Sequence, residues 1–222
     1  MNDRSDARPY GRRAFLAIVA GGIGALAWGE PLQRLSARLS PVQALFVSGG
    51  WRIYSVASPM PTFDPKTWRL RIDGLVERPQ ELSYRELLSL PQAEQVSDFH
   101  CVTGWSVENV HWKGVRFQDL FAAARPRPGA RAVVFHSAAK PYVDSLELEQ
   151  ALLPDVMLAH SLDRRPLSRA HGAPARLVIP EMYGYKGVKW VERIELAPAY
   201  VSGYWEQRGY DSDAWIGGSN GY

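Results

Sequence analysis

The stretch His171-Gly-Ala-Pro-Ala-Arg-Leu-Val-Ile-Pro180, followed by Tyr183-Gly-Tyr-Lys-Gly-Val-Lys-Trp190, decides how this chain is to be read. A loop shaped by glycine and proline feeds an apolar strand, and a second glycine-rich turn with two lysines comes after it. His171, Arg176, Lys186 and Lys189 supply cationic and hydrogen-bonding groups, while Gly184 and Gly187 let a ligand approach the backbone closely. Such a place suits a phosphate or another polyanionic headgroup. On composition alone it is equally a basic hairpin facing solvent.

Seventy residues upstream lies Asp98-Phe-His-Cys-Val-Thr-Gly-Trp-Ser106, which holds Cys101, the only cysteine among 222 residues. A solitary thiol forms no internal disulfide, and no Cys-x-x-Cys pair exists for zinc or an iron–sulfur cluster. Cys101 is therefore a buried inert thiol, a nucleophile, or the single protein ligand of a metal whose other ligands come with a cofactor. Gln95 to Cys101 reads as a strand that delivers the thiol to its end, with Gly104 allowing the chain to turn.

Outward from these motifs, Trp68 to Asp73 alternates as a half-buried strand ended by Gly74, and Ser83-Tyr-Arg-Glu86 is a capping box that opens a helix reaching Leu90. Gln118 to Ala124 reads as a helix stopped by Pro126 and Pro128, and Ser145-Leu-Glu-Leu-Glu as the start of another that ends near Pro154. Strands are expected at Arg131–Ser137, Val156–Leu162, Arg176–Pro180 and Lys189–Leu196. Strands and short helices mix without βαβ alternation, which predicts an α+β fold with mixed sheets. The run Ser58 to Pro65 is extended, since each proline biases its predecessor away from helix.

The first residues read as an address. Gly11-Arg12-Arg13-Ala14-Phe15-Leu16 sets paired arginines before an apolar stretch from Ala14 to Trp28. This resembles a twin-arginine export signal, and the stretch is short for a spanning helix of about twenty residues. Small-x-small cleavage patterns at Ala25–Ala27 and Ala27–Gly29 are only approximate, so an uncleaved anchor stays open beside a cleaved signal. The expected division is residues 1–30 as signal or membrane anchor, 31–50 as linker with Leu32–Leu45 amphipathic, and 51–222 as the catalytic domain. Twin-arginine substrates fold before export, often around an inserted cofactor. A net charge of +3 without a basic, aromatic-interleaved tract gives nucleic-acid binding little support.

Together, the His-Gly-x-Pro-x-Arg stretch, the Gly-Tyr-Lys-Gly-Val-Lys-Trp stretch and the lone cysteine resemble the sulfite oxidase superfamily of molybdopterin enzymes. The nearer likeness is to the compact bacterial branch that includes periplasmic methionine sulfoxide reductases. It runs from about Tyr54 to Tyr210 and includes Pro59-Met-Pro-Thr-Phe-Asp-Pro65 and Gly203-Tyr-Trp-Glu-Gln-Arg-Gly-Tyr210. The resemblance implies a sulfite oxidase-type fold, with Cys101 as thiolate ligand of molybdenum and molybdopterin as the cofactor. It implies cofactor contacts at Tyr54, Ser55, Ser137, His171, Arg176, Gly187, Val188 and Lys189; the expected catalytic set is Cys101 with Tyr54 and Trp105 beside it. An aromatic pocket of Trp51, Tyr54, Trp105, Tyr142 and Tyr183 is the candidate substrate wall.

Two departures bear on substrate. Sulfite oxidases place an arginine where this chain has Ser55, and two more shortly after the cysteine, where it has Trp105 and Ser106. The methionine sulfoxide reductases carry a glutamate at the position of Thr103. The expected activity is oxygen-atom transfer to or from a small S- or N-oxide. No haem-attachment motif is present, so electrons are exchanged with a separate partner, a membrane cytochrome being the natural one. The dimeric members of the family it resembles carry an extra C-terminal domain, and a monomer is expected here. A sulfite dehydrogenase, a non-catalytic pterin-binding partner protein, and a cysteine hydrolase using His100 or His111 remain the alternatives.

Overall fold

In the computed structural model, which describes residues 43–46 and 50–219, short strands dominate. In chain order they are β1 (Gln43–Phe46), β2 (Arg52–Ser55), β3 (Arg69–Gly74), β4 (Gln80–Ser83), helix α1 (Tyr84–Ser89), β5 (Ala93–Cys101), β6 (Trp105–Arg116) and helix α2 (Phe117–Ala124). Then come β7 (Ala132–Ser137), β8 (Val143–Glu147), helix α3 (Leu148–Ala151), β9 (Met157–Leu162), β10 (Arg165–Pro166), β11 (Arg176–Val178) and β12 (Val191–Ala197). The expected export signal over 1–30 and most of the 31–50 linker lie outside the described residues. No helix among the described residues is long and apolar enough to cross a membrane.

Two five-stranded sheets carry the fold, one ordered β4-β3-β12-β7-β8 and the other β10-β9-β6-β5 with β11 also on β9. The first is mixed, because β12 runs parallel to β3 and antiparallel to β7. β3 has the period-two alternation of a half-covered strand, with Leu70 and Ile72 fully buried while Arg69 and Arg71 face solvent. β7 reads Ala-Val-Val-Phe and is buried on both faces, as suits a strand between two neighbours. The capping box forms as the sequence predicts: Ser83 accepts from the Glu86 N–H, and the Ser83 N–H donates 2.7 Å to the Glu86 carboxylate.

The two faces of the second sheet separate core from site. Val115, Leu158 and Leu177 pack with Leu70, Ile72, Phe135, Ile194 and the α2 residues Phe117 and Leu120 in the main core. The opposite face carries Trp105, Val110, Trp112, Met157, Ala159 and Val178, covered by Trp51 and Ile53 of the β2 region. Gly114 lets β6 lie against β9, since a Cβ there would meet the Leu158 carbonyl at 2.3 Å.

Two expectations are corrected. β6 is a twelve-residue strand where the sequence reading placed no strand between Cys101 and α2. A register shift against β5, with Asn109 at φ 53°, breaks its period-two pattern, which is why alternation failed to reveal it. Residues 145–147 belong to β8, paired with β7, and only Leu148–Ala151 are helical.

Candidate functional site

The β5–β6 hairpin places Cys101 directly opposite Trp105. Gly104, at φ +83°, closes the tight turn by donating 3.0 Å to the Cys101 carbonyl. Side chains alternate, so Gln95, Ser97, Phe99 and Cys101 share one face with Trp105, Val107, Val110 and Trp112. His100 lies on the other face, where its Nδ1 meets Ser106 Oγ at 2.8 Å. That places its imidazole away from the thiol and removes the sequence-adjacent candidate for a cysteine–histidine pair. The thiol is half-buried, unpaired, and 3.2 Å from Thr103 Oγ1.

Trp51 ties this hairpin to the rest of the site. Its ring lies 4.9 Å from Phe99, 6.3 Å from Trp105, 6.2 Å from Trp112 and 4.9 Å from the imidazole of His171. Tyr54 stacks on Trp105 at 6.4 Å and 29°, and Arg52 stands 6.0 Å over the same ring. Of the five aromatics expected to wall the pocket, Trp51, Tyr54 and Trp105 come together here. Tyr142 and Tyr183 pack with the main core instead.

His171 ends a one-turn 3₁₀ helix and is followed by Gly172 at φ +102°, where a Cβ would strike the Lys189 side chain at 2.8 Å. Ser168 Oγ lies 2.8 Å from Nδ1, while Nε2 is buried without a partner. Burial first, then the charges of Arg176 and Lys189, press its pKa down to about 4, so the ring is neutral near pH 7.

Arg176 opens β11, and its side chain is 4 % exposed. The guanidinium lies 5.3 Å from the Trp112 ring and 5.5 Å from that of Phe99. Its hydrogen bond to the Leu177 carbonyl is a long one, 3.5 Å, and no carboxylate among the described residues pairs with it. Burial lowers its pKa to about 10, which leaves it charged. Gly187 approaches so closely that a Cβ would sit 3.1 Å from the guanidinium. Lys189 donates 2.7 Å to the Tyr54 carbonyl and 3.4 Å to that of Ala170, again without a carboxylate. Burial, with Arg176 second, pushes its ammonium down to about 7.

The remaining expected residues have structural bonds. Ser137 Oγ donates 2.7 Å to the Lys189 carbonyl and accepts from the Ala139 N–H at 3.0 Å. Ser55 Oγ closes a turn with Ala57 at 2.8 Å. The N–H groups of Gly187 and Val188 bond within their own turn, to Gly184 and Lys186. Lys186, counted among the cations of the loop, turns the other way and pairs with carboxylates.

Sequence reasoning missed Gln95, Ser97 and Trp112. Among the described residues, Gln95 Nε2, Ser97 Oγ, the indole N–H groups of Trp105 and Trp112 and His171 Nε2 are buried without hydrogen-bond partners, as are Asp144 Oδ2 and Ser145 Oγ outside the site. Native proteins leave few such atoms unpaired, because each costs roughly 1–3 kcal/mol. The available signal was the alternation of 95, 97, 99 and 101 on one strand face. Among the described residues no group of His, Cys, Asp and Glu could hold a metal by itself. Cys101 can offer one thiolate to a metal that brings its other ligands with it. Two buried cations without anions, with unpaired donors beside them and a thiol at the edge, match a phosphate-bearing heterocyclic cofactor that carries such a metal.

Comparison with known proteins supports that match. The family described as oxidoreductase molybdopterin binding domain matches residues 57–205. This chain belongs to that family. The chain is 36 % identical over 155 residues to an uncharacterized oxidoreductase of Bacillus subtilis, covering 68 % of this chain and 77 % of that protein. It is 35 % identical to the catalytic subunit of a protein-methionine-sulfoxide reductase from Gluconobacter oxydans, covering 63 % of this chain and 50 % of that one. A putative protein-methionine-sulfoxide reductase subunit of Azospira oryzae is 35 % identical over 70 % of this chain and 58 % of its own length. The chain thus spans half or somewhat more of the named reductases. In fold it is similar to the sulfane dehydrogenase SoxCD of Paracoccus pantotrophus, with a TM-score of 0.63 and 22 % identity over 90 % of this chain and 57 % of that one. The molybdopterin-binding domain is therefore an α+β enzyme domain of the sulfite oxidase superfamily, an oxidoreductase with molybdopterin as cofactor.

Proposed function

We propose that this molybdopterin oxidoreductase reduces a small or protein-borne sulfoxide, with Cys101 as the thiolate ligand of molybdenum. When bound, the cofactor supplies two-electron oxygen-atom transfer at its metal. The observation that carries the reading is the half-buried Cys101 at the edge of a site whose Arg176 and Lys189 have no carboxylate partners among the described residues. In this reading those two side chains hold the phosphate, with Gly187 and Val188 shaping the turn beside them. His171 Nε2 and the Trp105 and Trp112 indoles offer hydrogen bonds to the heterocycle. Ser137 steadies the Lys189 backbone, and Ser55 shapes the strand end that follows Tyr54.

Tyr54 and Trp105 wall the mouth through which a substrate passes, and the aromatic surround keeps bulk water from the thiolate. A sulfoxide takes up two electrons and two protons to give a thioether and water, so the electrons come from a separate redox partner. The reductase relatives support sulfoxide as substrate, and the fact that one of them is the catalytic subunit of its reductase supports a separate partner. Ser55, Trp105 and Ser106 stand where sulfite oxidases gather arginines, which favours a neutral oxide over sulfite. The paired arginines at Arg12 and Arg13 support twin-arginine export to the periplasmic side, with residues 1–30 as signal or anchor, 31–50 as linker, and 51–222 as the catalytic domain. The domain is proposed to act as a monomer beside a membrane cytochrome.

The test assays purified protein with reduced viologen and methionine sulfoxide, and separately with sulfite and ferricyanide, alongside molybdenum and pterin analysis. One molybdenum per chain and viologen-driven sulfoxide reduction are expected. Sulfite oxidation without sulfoxide reduction would assign the dehydrogenase activity instead.

A further inference from the structure

Behind the cofactor-facing turn lies a buried ionic cluster with no part in the site described so far. Lys186 is 1 % exposed, and its ammonium donates 2.6 Å to Asp144 Oδ1, 2.5 Å to Glu206 Oε1 and 2.6 Å to the hydroxyl of Tyr200. Tyr200 in turn donates to Glu206. The other Glu206 oxygen accepts from the Gly203 N–H at 2.8 Å. Gly203 packs so tightly on Asp144 that a Cβ would lie 2.6 Å from its carboxylate carbon. All three ammonium protons therefore have acceptors, and one side chain joins β8, the glycine-rich turn and the segment 200–206.

Aromatic rings extend the same attachment. Tyr142 stacks on Tyr204 at 5.5 Å and donates to the Tyr185 carbonyl, and Tyr185 packs on Tyr210 at 5.2 Å. Tyr204, Trp205 and Tyr210 contact one another in series at 5.2 Å. The segment 200–210 is thus a strap across the turn that presents Gly187 and Lys189. The turn separates charges of opposite sign. Its front holds Arg176 and Lys189 without anions, and its back holds Asp144 and Glu206 around Lys186.

We infer that Lys186 is a positioning residue: with Asp144, Glu206 and Tyr200 it locks the 200–210 strap onto the turn and so sets how tightly the cofactor is retained. This rests on the molybdopterin reading of the site and adds the element that keeps the cradle in shape. A bond from an ammonium to a hydroxyl or carboxylate is among the stronger ones, so losing one should loosen the turn about tenfold or more.

The experiment follows release of bound pterin, measured as its fluorescent oxidation product, from protein purified with its cofactor. Wild type, Tyr200→Phe, Lys186→Met and Leu120→Ala are compared, the last a core truncation in α2 outside the strap. Tyr200→Phe should release pterin about tenfold faster than wild type. Lys186→Met should come off the column nearly free of pterin. Leu120→Ala should release pterin at the wild-type rate despite a larger loss of Tm. Should Lys186→Met not fold, Tyr200→Phe against Leu120→Ala decides. Unchanged release from Tyr200→Phe, or equal leakage from Leu120→Ala, overturns the inference and leaves the cofactor reading intact. Wild type devoid of pterin overturns both.

Discussion

The ammonium of Lys189 donates 2.7 Å to the backbone carbonyl of Tyr54, across 135 residues of sequence. The bond draws the glycine-rich turn onto the end of β2, and with it one cation of the cradle onto the strand that walls the mouth. A lysine held by carbonyls rather than carboxylates has no competing anion, and an incoming phosphate would draw its lowered pKa back up and hold it protonated. That placement leads to the first of four expectations.

In the proposed reading, Arg176 and Lys189 serve a ligand at the expense of the empty fold. A guanidinium buried without an anion is destabilising. Arg176→Met should therefore leave cofactor-free protein as stable or more so, by about 1–2 kcal/mol, a rise of roughly 2–8 °C for a domain of this size. It should also abolish pterin retention. Thermal scans on cofactor-free protein, with pterin assays on the loaded form, check both halves, and a drop in Tm would show that the arginine has a structural role.

Cys101→Ser separates metal from pterin. A hydroxyl is a harder and far less acidic ligand than a thiolate. The variant should keep most of its pterin, because Arg176, Lys189 and His171 are untouched, while activity falls to background. Elemental analysis together with pterin fluorescence reads the two apart; a variant that turned over normally would remove Cys101 from the site.

His171 gives a pH signature with a defined sign. Its folded pKa of about 4 lies below the ordinary 6.5, so the unfolded chain binds the extra proton. The resulting stability is complete above pH 6.5 and is lost as the pH falls toward 4. Asp144, held up at about 7 by burial, acts in the opposite direction over the same range, so wild-type melting alone is ambiguous. The difference between wild type and His171→Asn isolates the imidazole. Between pH 7.5 and 5, wild type should lose on the order of 1–2 kcal/mol relative to the variant. A constant difference across that range would mean that the ring titrates normally.

Gly184 couples the turn to the cysteine hairpin. Its N–H donates 2.8 Å to the His100 carbonyl, and a Cβ there would meet the Phe99 ring at 2.2 Å. Gly184→Ala should cost about 1–3 kcal/mol through overpacking and shift Phe99, two residues before the thiol. Denaturant unfolding gives the first figure. Impaired pterin retention in protein that still folds gives the second, and normal retention would show that the ring has room to move.

Local signals were legible in the chain where the physics is local. Ser83 and Glu86 form their capping box because both partners lie within one turn. Leu70 and Ile72 point inward because alternation sorts side chains by strand face. Cys101 reaches the end of a strand, as its flanking alternation and Gly104 indicated. Ser145 to Glu147 were misread as helix because strand pairing with β7 outweighs the weak preference of a few residues.

What the sequence settled by itself was the class of the domain, the strand that carries the thiol, and the set of residue types able to hold an anion. What only the tertiary structure decided was which way each cation points. Lys186 and Lys189 lie three residues apart in one turn, yet one is enclosed by Asp144 and Glu206 and the other meets only carbonyls. The reason is physical: charge and spacing are written along the chain, but the carboxylates that neutralise one lysine and spare the other arrive from β8 and from the segment after β12, brought there by packing that no local pattern encodes.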